Sequence, residues 1–194
     1  MTDFPVSLGL QPRISLAGAF PLHDVTDVVS NGLKGFITGP GYSLGFGLGI
    51  DLRLSDLKIA AVYDLQIFEW QGSENNSYEI SSLFNYFGLE IDYALFTKTL
   101  PNGLRWNMVK TGVDVGYLFG QATVRDPKHK TLYDFETLSG FSWGVSISTE
   151  MRVGNQGHLA KYLEFGLKYS EQYYDGARIA LFGAFVGLTF NLQE

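Results

Sequence analysis

Histidine is the first side chain to consider for catalysis, because imidazole is the commonest general base near neutral pH. The chain has His23, His129 and His158. Asp24 follows His23 directly and Ser30 follows in the same segment, so a base, an acid and a nucleophile lie close together in sequence. None of the three histidines has a serine at either of the next two positions. A histidine beside an acid in a polar loop is usually solvated, and we predict no catalytic residues.

The sequence also gives little support for a metal site, a cofactor site or a nucleic-acid partner. The chain has no Cys and its histidines are far apart, whereas a metal site needs converging ligands. It has neither a Gly-Lys-Ser/Thr phosphate loop nor a dinucleotide fingerprint. Lys and Arg number 14 against 20 Asp and Glu, which argues against a nucleic-acid partner. We therefore predict no metal, no cofactor and no nucleic acid.

The composition describes one apolar domain of unusual make-up. The 194 residues are 45% hydrophobic, 15% aromatic and only 18% charged, with 23 Gly. This content excludes disorder, and the absence of Cys excludes a disulfide scaffold. No run of about 18 apolar residues exists, so a bundle of membrane helices is excluded. We predict a single domain over residues 1–194.

The dominant signal is a period of two along the chain. In residues 42–55 every even position is large and apolar, and every odd position is Gly, Ser, Asp or Arg. This alternation is typical of a β-strand with two chemically opposite faces. It recurs often enough to predict eight strands, over residues 4–22, 42–55, 59–67, 83–95, 109–119, 141–151, 159–169 and 180–192. Pro12 predicts a bulge or break in the first strand, and residues 24–36 are compatible with one or two helical turns.

The connections alternate in length. Short turns are predicted at 55–58, 101–103 and 154–157, and longer connections at 23–41, 71–77, 121–138 and 171–178. This order is typical of an up-and-down antiparallel barrel whose two ends face different compartments.

The residue types on the two strand faces decide which face lies inside such a barrel. A soluble cup would hold roughly forty large apolar side chains in a bore only just wide enough for side chains. It would also present Gly, Ser and Ala to water. The inverse arrangement puts the apolar face against lipid, which predicts a transmembrane barrel. Aromatic residues near the long connections are then predicted at the lipid–water interface: Tyr42, Tyr117, Phe141, Trp143 and Tyr169.

The Gly-rich alternating strand at 42–55 and the closing strand at 182–192 resemble those of small outer-membrane barrels of the OmpA/OmpX type. The resemblance covers nearly all of the chain. It implies an all-β, eight-stranded antiparallel up-and-down transmembrane barrel in a bacterial outer membrane, in a mature chain without its signal peptide. The family normally ends on an aromatic residue, whereas here the last aromatic, Phe190, is followed by Asn-Leu-Gln-Glu.

Charged residues also occur on the predicted inward face. Those near the short turns are predicted to form a connected salt-bridge plug: Arg53, Glu90, Asp92, Lys110, Glu150 and Arg152. The alternative is that they line a narrow, gated ion path.

The third long connection carries the predicted binding surface. Alternation continues beyond the expected membrane edge and turns at residues 126–130, which predicts a hairpin above the membrane. Lys128, Lys130, Tyr133 and Phe135 are the predicted contact residues. The alternatives are an ordinary surface loop, or lysines that contact lipopolysaccharide phosphates.

The function predicted from these features is that of a non-enzymatic outer-membrane surface protein. Its barrel would anchor extracellular loops for adhesion, binding or envelope integrity, the role often suggested for OmpX-type barrels. Its partners would be outer-membrane lipids, including lipopolysaccharide, and an extracellular protein or envelope component. The alternatives are a narrow small-solute or ion channel and, less favoured, a lipid A-modifying enzyme.

Overall fold

The protein is a closed antiparallel β-barrel. The computed structural model describes residues 6–22, 37, 39–71, 79–101, 103–126, 128, 130–153, 160–174 and 176–192. The strands in this part of the chain are β1 (Val6–Pro21), β2 (Gly41–Leu54), β3 (Leu57–Gln71), β4 (Glu79–Thr99), β5 (Arg105–Arg125), β6 (Thr131–Arg152), β7 (Ala160–Tyr174) and β8 (Ala177–Asn191). They pair in chain order and β8 closes on β1. The predicted eight-stranded up-and-down barrel is confirmed.

No helix among the described residues is long and apolar enough to cross a membrane.

The strand register makes the barrel narrow. Paired residues followed around the ring lead from Val6 through Leu54, Leu57, Tyr93, Thr111, Ile147, Leu167 and Ala184 back to Leu16. The circuit therefore returns ten residues further along β1. With ordinary strand spacings this offset corresponds to a tilt of about 40°. An eight-stranded barrel of this kind has an interior just wide enough to be filled by side chains.

The outer wall is apolar. Its large side chains point away from the bore and are exposed, among them Ile14, Leu16, Phe46, Leu48, Ile50, Leu89, Ile91, Val113, Val115, Ile147, Phe165, Leu167 and Phe182. A continuous apolar belt of this size is the surface that a bilayer covers. The predicted assignment of the two faces is confirmed.

The β5–β6 hairpin extends beyond β7, while β4 accompanies it on the other side as far as Arg125. β5 and β6 have 21 and 22 residues, against 15 in β7, and β7 ends opposite Gly140. At the tip, Asp126 Oδ1 accepts hydrogen bonds from the backbone N–H groups of Lys128 (2.9 Å) and Lys130 (2.8 Å). The predicted hairpin is confirmed. We call this the hairpin end of the barrel, and the end with the β2–β3, β4–β5 and β6–β7 connections the turn end.

Two other predictions about the strands need correction. The long connection predicted at 171–178 is wrong, because β7 continues to Tyr174 and β8 begins at Ala177. Gly176 has a φ of 70°, which allows the chain to reverse there within two residues. The break predicted at Pro12 affects only the ladder to β8, which pairs Leu10 with Phe190 and resumes at Arg13. The predicted helical turns at 24–36 lie outside the described residues.

Glycines on the inward face of β2 make space for charged side chains. A Cβ atom at Gly47 would lie 1.7 Å from Asp64 Oδ1 and 2.9 Å from Arg13 Cγ. At Gly49, two residues along the same face, the nearest atoms would be 3.7 to 3.9 Å away. Only the first position therefore needs a missing side chain.

We expect Gly47→Ala to lower the free energy of unfolding by about 1–3 kcal/mol, because the added methyl group displaces Asp64 from Arg13. Gly49→Ala is the matched control and should change it by less than about 0.5 kcal/mol. Urea titration of protein refolded into lipid vesicles, followed by tryptophan fluorescence, measures both. Equal unfolding midpoints for the two variants would contradict the packing argument.

Candidate functional site

Charged side chains fill the turn end of the bore and form one connected cluster. We call it the interior network: Arg13, Asp51, Arg53, Lys58, Asp64, Glu90, Asp92, Lys110, Glu150 and Glu164. These residues come from seven of the eight strands and all face inward. The alternation of each strand places them in the bore, and the tilt of the strands brings them to neighbouring heights.

Lys58 is the centre of the interior network. Its Nζ lies 3.0 Å from Glu90 Oε1, 2.6 Å from Asp92 Oδ2 and 3.4 Å from Glu164 Oε2. It also donates to Gln11 Oε1 at 3.2 Å. Lys58 is only 3% exposed, so its charge is neutralised by the protein rather than by water.

Lys110 and Arg53 extend the network around the bore. Lys110 Nζ lies 2.9 Å from Glu164 Oε1 and 3.2 Å from Glu150 Oε2. Arg53 reaches the other oxygen of Glu150 at 2.8 Å and Asp51 at 2.6 Å. Each of these carboxylates therefore meets at least one cation, which is the condition for burying charge at tolerable cost.

Arg13 connects the network to the middle of the barrel. Its Nε and Nη2 donate to the two oxygens of Asp64 at 2.9 and 2.6 Å, and its Nη1 donates to Glu90 at 2.6 Å. This is the two-pronged geometry that a planar guanidinium makes with a carboxylate. Farther along, Lys168 pairs with Asp114 at 2.9 Å, and Asp114 also accepts from the Tyr86 hydroxyl at 2.9 Å.

The structure brings together five of the six residues that the sequence assigned to the plug: Arg53, Glu90, Asp92, Lys110 and Glu150. Arg152 lies outside the network, since no ion pair joins it to another described residue and its Nε has no hydrogen-bond partner. Lys58 was missed, because the sequence placed it in the turn at 55–58. Lys58 lies two and four positions before Ala60 and Val62, which face inward, and this spacing places it on the same face of the strand. That spacing could have identified it.

Aromatic and aliphatic side chains fill the hairpin end of the bore. Phe68 and Trp70 stack at 5.0 Å, Phe84 meets Phe68 edge-on at 5.9 Å, and Tyr174 lies 4.6 Å from Phe84. We call this the apolar layer; its other large members include Ile37, Ile80, Leu118, Val124, Leu138, Ile179 and Leu181. The alternation along the strands predicted small residues and charges in the bore, and it did not predict the apolar layer.

Little free space lies between the interior network and the apolar layer. A cavity of about 50 Å³ lies where they meet, lined by Arg13, Asp64, Glu90, Lys168 and Ser170 among others. This is room for a few waters in contact with charged groups. The bore is therefore packed with paired charges at one end and with aromatic and aliphatic side chains at the other.

The predicted hairpin surface divides into two parts. Lys128 and Lys130 are exposed at the tip. Tyr133 is 50% exposed and its ring lies 6.5 Å from that of Phe135, which packs against the apolar layer. A register shift near Gly120 places Phe135 opposite the buried Ala122, so this ring turns toward the bore. Phe135 therefore helps to cover the barrel mouth as well as belonging to the hairpin.

The predicted interface aromatics lie on the outer wall. Tyr42, Tyr117 and Phe141 are 53%, 54% and 50% exposed, whereas Trp143 and Tyr169 pack against each other at 6.0 Å.

An outward carboxylate, Glu171, was not anticipated. It is 5% exposed and accepts hydrogen bonds from the hydroxyls of Tyr169 and Tyr173 and from Arg178 Nη2 at 2.8 Å. An acid on a lipid-facing wall near the hairpin end is tolerated because this shell of donors surrounds it.

The residues considered for catalysis, His23, Asp24, Ser30, His129 and His158, lie outside the described part of the chain. Within that part, no group of three or more His, Cys, Asp or Glu side chains is arranged to hold a metal ion.

No protein-family model matches the chain, and no curated protein matches it. Solved structures do resemble it. Ail, the attachment invasion locus protein of Yersinia pestis, solved in complex with the heparin analogue sucrose octasulfate, is 9% identical, with 95% of this chain and 99% of that chain covered and a TM-score of 0.52. Another Ail structure is 11% identical over 94% and 98% of the two chains, with a TM-score of 0.49. Neisserial surface protein A (NspA) is 15% identical over 96% and 99%, also with a TM-score of 0.49.

At such identities the likeness to Ail is one of fold, that of the small eight-stranded outer-membrane barrels. The predicted resemblance to this group is confirmed at that level. The predicted location, integral in a bacterial outer membrane, agrees with this fold and with the apolar belt.

We expect Lys58→Met to lower the free energy of unfolding by about 3–5 kcal/mol, because it leaves Glu90, Asp92 and Glu164 short of a buried cation. Lys98→Met, at an exposed position of β4, is the control and should have almost no effect. Urea titration in lipid vesicles compares them. A wild-type midpoint for Lys58→Met would show that the interior network does not stabilise the barrel.

Proposed function

We propose that the protein is a non-enzymatic, closed outer-membrane anchor that displays the β5–β6 hairpin at the cell surface for binding or adhesion. The observation that carries this proposal is the packed bore. The interior network and the apolar layer together block it between the turn-end mouth and the hairpin end, so the barrel serves as a support rather than as a conduit.

A narrow channel is less well supported. A conducting path needs a continuous polar lumen, and Phe68, Phe84 and Leu118, each fully buried, occupy the hairpin end. The cations and carboxylates of the interior network are held by one another at 2.6 to 3.5 Å, so they are not free to pass ions along the bore.

The hairpin is the part of the described chain best suited to meet a partner. Its strands continue past the apolar belt, and residues 131–134, 136 and 137 are all exposed. Arg125, Lys128 and Lys130 are balanced by Asp126, Asp134 and Glu136. A surface of mixed charge with Leu132 (40% exposed) and Tyr133 among it favours a protein partner over a polyanion.

The structural neighbours are consistent with this role. Ail is named for attachment and invasion and was solved with a heparin analogue. We carry over the general kind of function, a surface-exposed binding protein, and not that ligand, because the hairpin here has no net positive charge. Outer-membrane lipid, including lipopolysaccharide, is proposed as the other partner, in contact with the apolar belt and the interface aromatics.

We expect the purified, refolded protein to show no steady conductance in planar bilayers, because the bore is packed. The double variant Trp70→Ala/Phe84→Ala, which thins the apolar layer, keeps the interior network and should also stay silent. Steady single-channel currents from the wild-type protein would overturn the closed-anchor proposal.

Replacement of residues 124–133 by Asn-Gly should abolish surface binding and leave the barrel folded, although it removes one member of the apolar layer, Val124. Thr123 and Asp134 are paired, so a two-residue turn can close the shortened hairpin. The measurement is attachment of a non-adherent bacterial host, expressing each variant, to cultured epithelial cells. Attachment should fall to the level of the empty host, whereas a control change in the turn-end residue Asp56 should leave it unchanged. Full attachment by the shortened hairpin would refute its role.

A further inference from the structure

A second cavity opens at the turn end, below the interior network. It has a volume of about 330 Å³, and three arginines line it: Arg53, Arg105 and Arg152. The rest of its lining is almost entirely polar or glycine, with the ring of Tyr162 on one side. Because the cavity lies inside the ring of strands, it is reached from the aqueous compartment at this end rather than from the lipid.

Two of the three arginines already have acidic partners. Arg53 pairs with Asp51 and Glu150, and its guanidinium lies 4.3 Å from the centre of the Tyr162 ring. Arg105 pairs with Asp56 in the β2–β3 turn and donates to Asn107 at 3.1 Å. These contacts hold both guanidinium groups in place at the cavity wall.

Arg152, in contrast, has no acidic partner among the described residues. It is the direct partner of Tyr162 in the β6–β7 ladder, so it lies beside the ring on which Arg53 stacks. No described carboxylate lies within ion-pair distance of it, and its buried Nε lacks a hydrogen-bond partner. Each carboxylate of the interior network is already in contact with Arg13, Arg53, Lys58 or Lys110. Its side chain is partly exposed to the cavity, whereas its Nε donor is buried, and a buried donor without an acceptor is costly.

We propose that this turn-end cavity is a binding site for an oxyanion, a carboxylate or phosphate group presented from the periplasm, with Arg152 as its principal contact. The planar guanidinium offers two parallel N–H donors, which match the paired oxygens of either group. Arg53 and Arg105 add positive potential from the wall without giving up their own partners. The hydroxyls of Ser7 and Thr189 lie in the same lining and can complete the contacts.

The test uses the full chain refolded in a non-ionic detergent, with inorganic phosphate and acetate as probes at constant ionic strength. The arginine Nε–Hε resonances are followed by NMR, and Arg152→Gln assigns the signal of Arg152. We expect millimolar phosphate or acetate to shift that signal in a saturable way. Arg152→Gln should weaken phosphate binding, read from the remaining cavity signals of Arg53 and Arg105, at least tenfold.

Two further variants make the outcome decisive. Arg152→Lys keeps the charge and should retain part of the affinity, which covers the case in which Arg152→Gln does not fold. Arg125→Gln, at the hairpin end, should leave binding unchanged. A signal of Arg152 that does not move up to 100 mM of either probe, or affinity unaltered in Arg152→Gln, would overturn the site.

The source of the anion is resolved by a second comparison. Phosphatidylglycerol nanodiscs with no added probe should leave the Arg152 signal where phosphatidylcholine nanodiscs leave it, if the site takes a soluble periplasmic anion. A shift confined to phosphatidylglycerol would keep the oxyanion site and assign its ligand to a lipid headgroup.

Discussion

The bore of this barrel is narrow, and the rest of the structure depends on that constraint. Eight strands closed with an offset of ten residues leave an interior that side chains must fill. Large apolar residues on the inward face of every strand could not be accommodated, so they lie outside and the molecule needs a bilayer around it. Gly47 illustrates the limit, since even a methyl group there would collide with the carboxylate of Asp64.

The interior is stabilised by two different kinds of interaction along its length. Within the interior network, charges are buried and each is matched, because an unmatched charge away from water is strongly destabilising. At the hairpin end, Phe68, Phe84 and Tyr174 pack as in the core of a soluble protein. Between the two, the Tyr86 hydroxyl donates to Asp114, which pairs with Lys168. A barrel sealed in both ways is suited to hold a surface structure in a fixed position.

The two ends of the barrel consequently offer different chemistry to their compartments. The hairpin end presents a projecting ribbon of mixed charge that continues the strands of the barrel itself. The turn end presents a small cavity with three arginines, one of them without an acidic partner among the described residues. The surface proposed for adhesion and the site proposed for anion binding are thus separate, because the packed bore lies between the residues involved.

The amino-acid sequence by itself determined the strands, the two faces, the projecting hairpin and most of the charged cluster. These follow from alternation, which is local: a residue such as Asp92 faces inward because Tyr93 beside it faces outward. Only the tertiary structure decided which inward residues share a height, because that depends on tilt and register around the whole ring. The offset brings Lys58 to Glu164, gathers Phe68, Phe84 and Tyr174 into one layer, and leaves Arg152 below the network instead of in it. Register between distant strands is set by the collective packing of all eight, and no single strand contains that information.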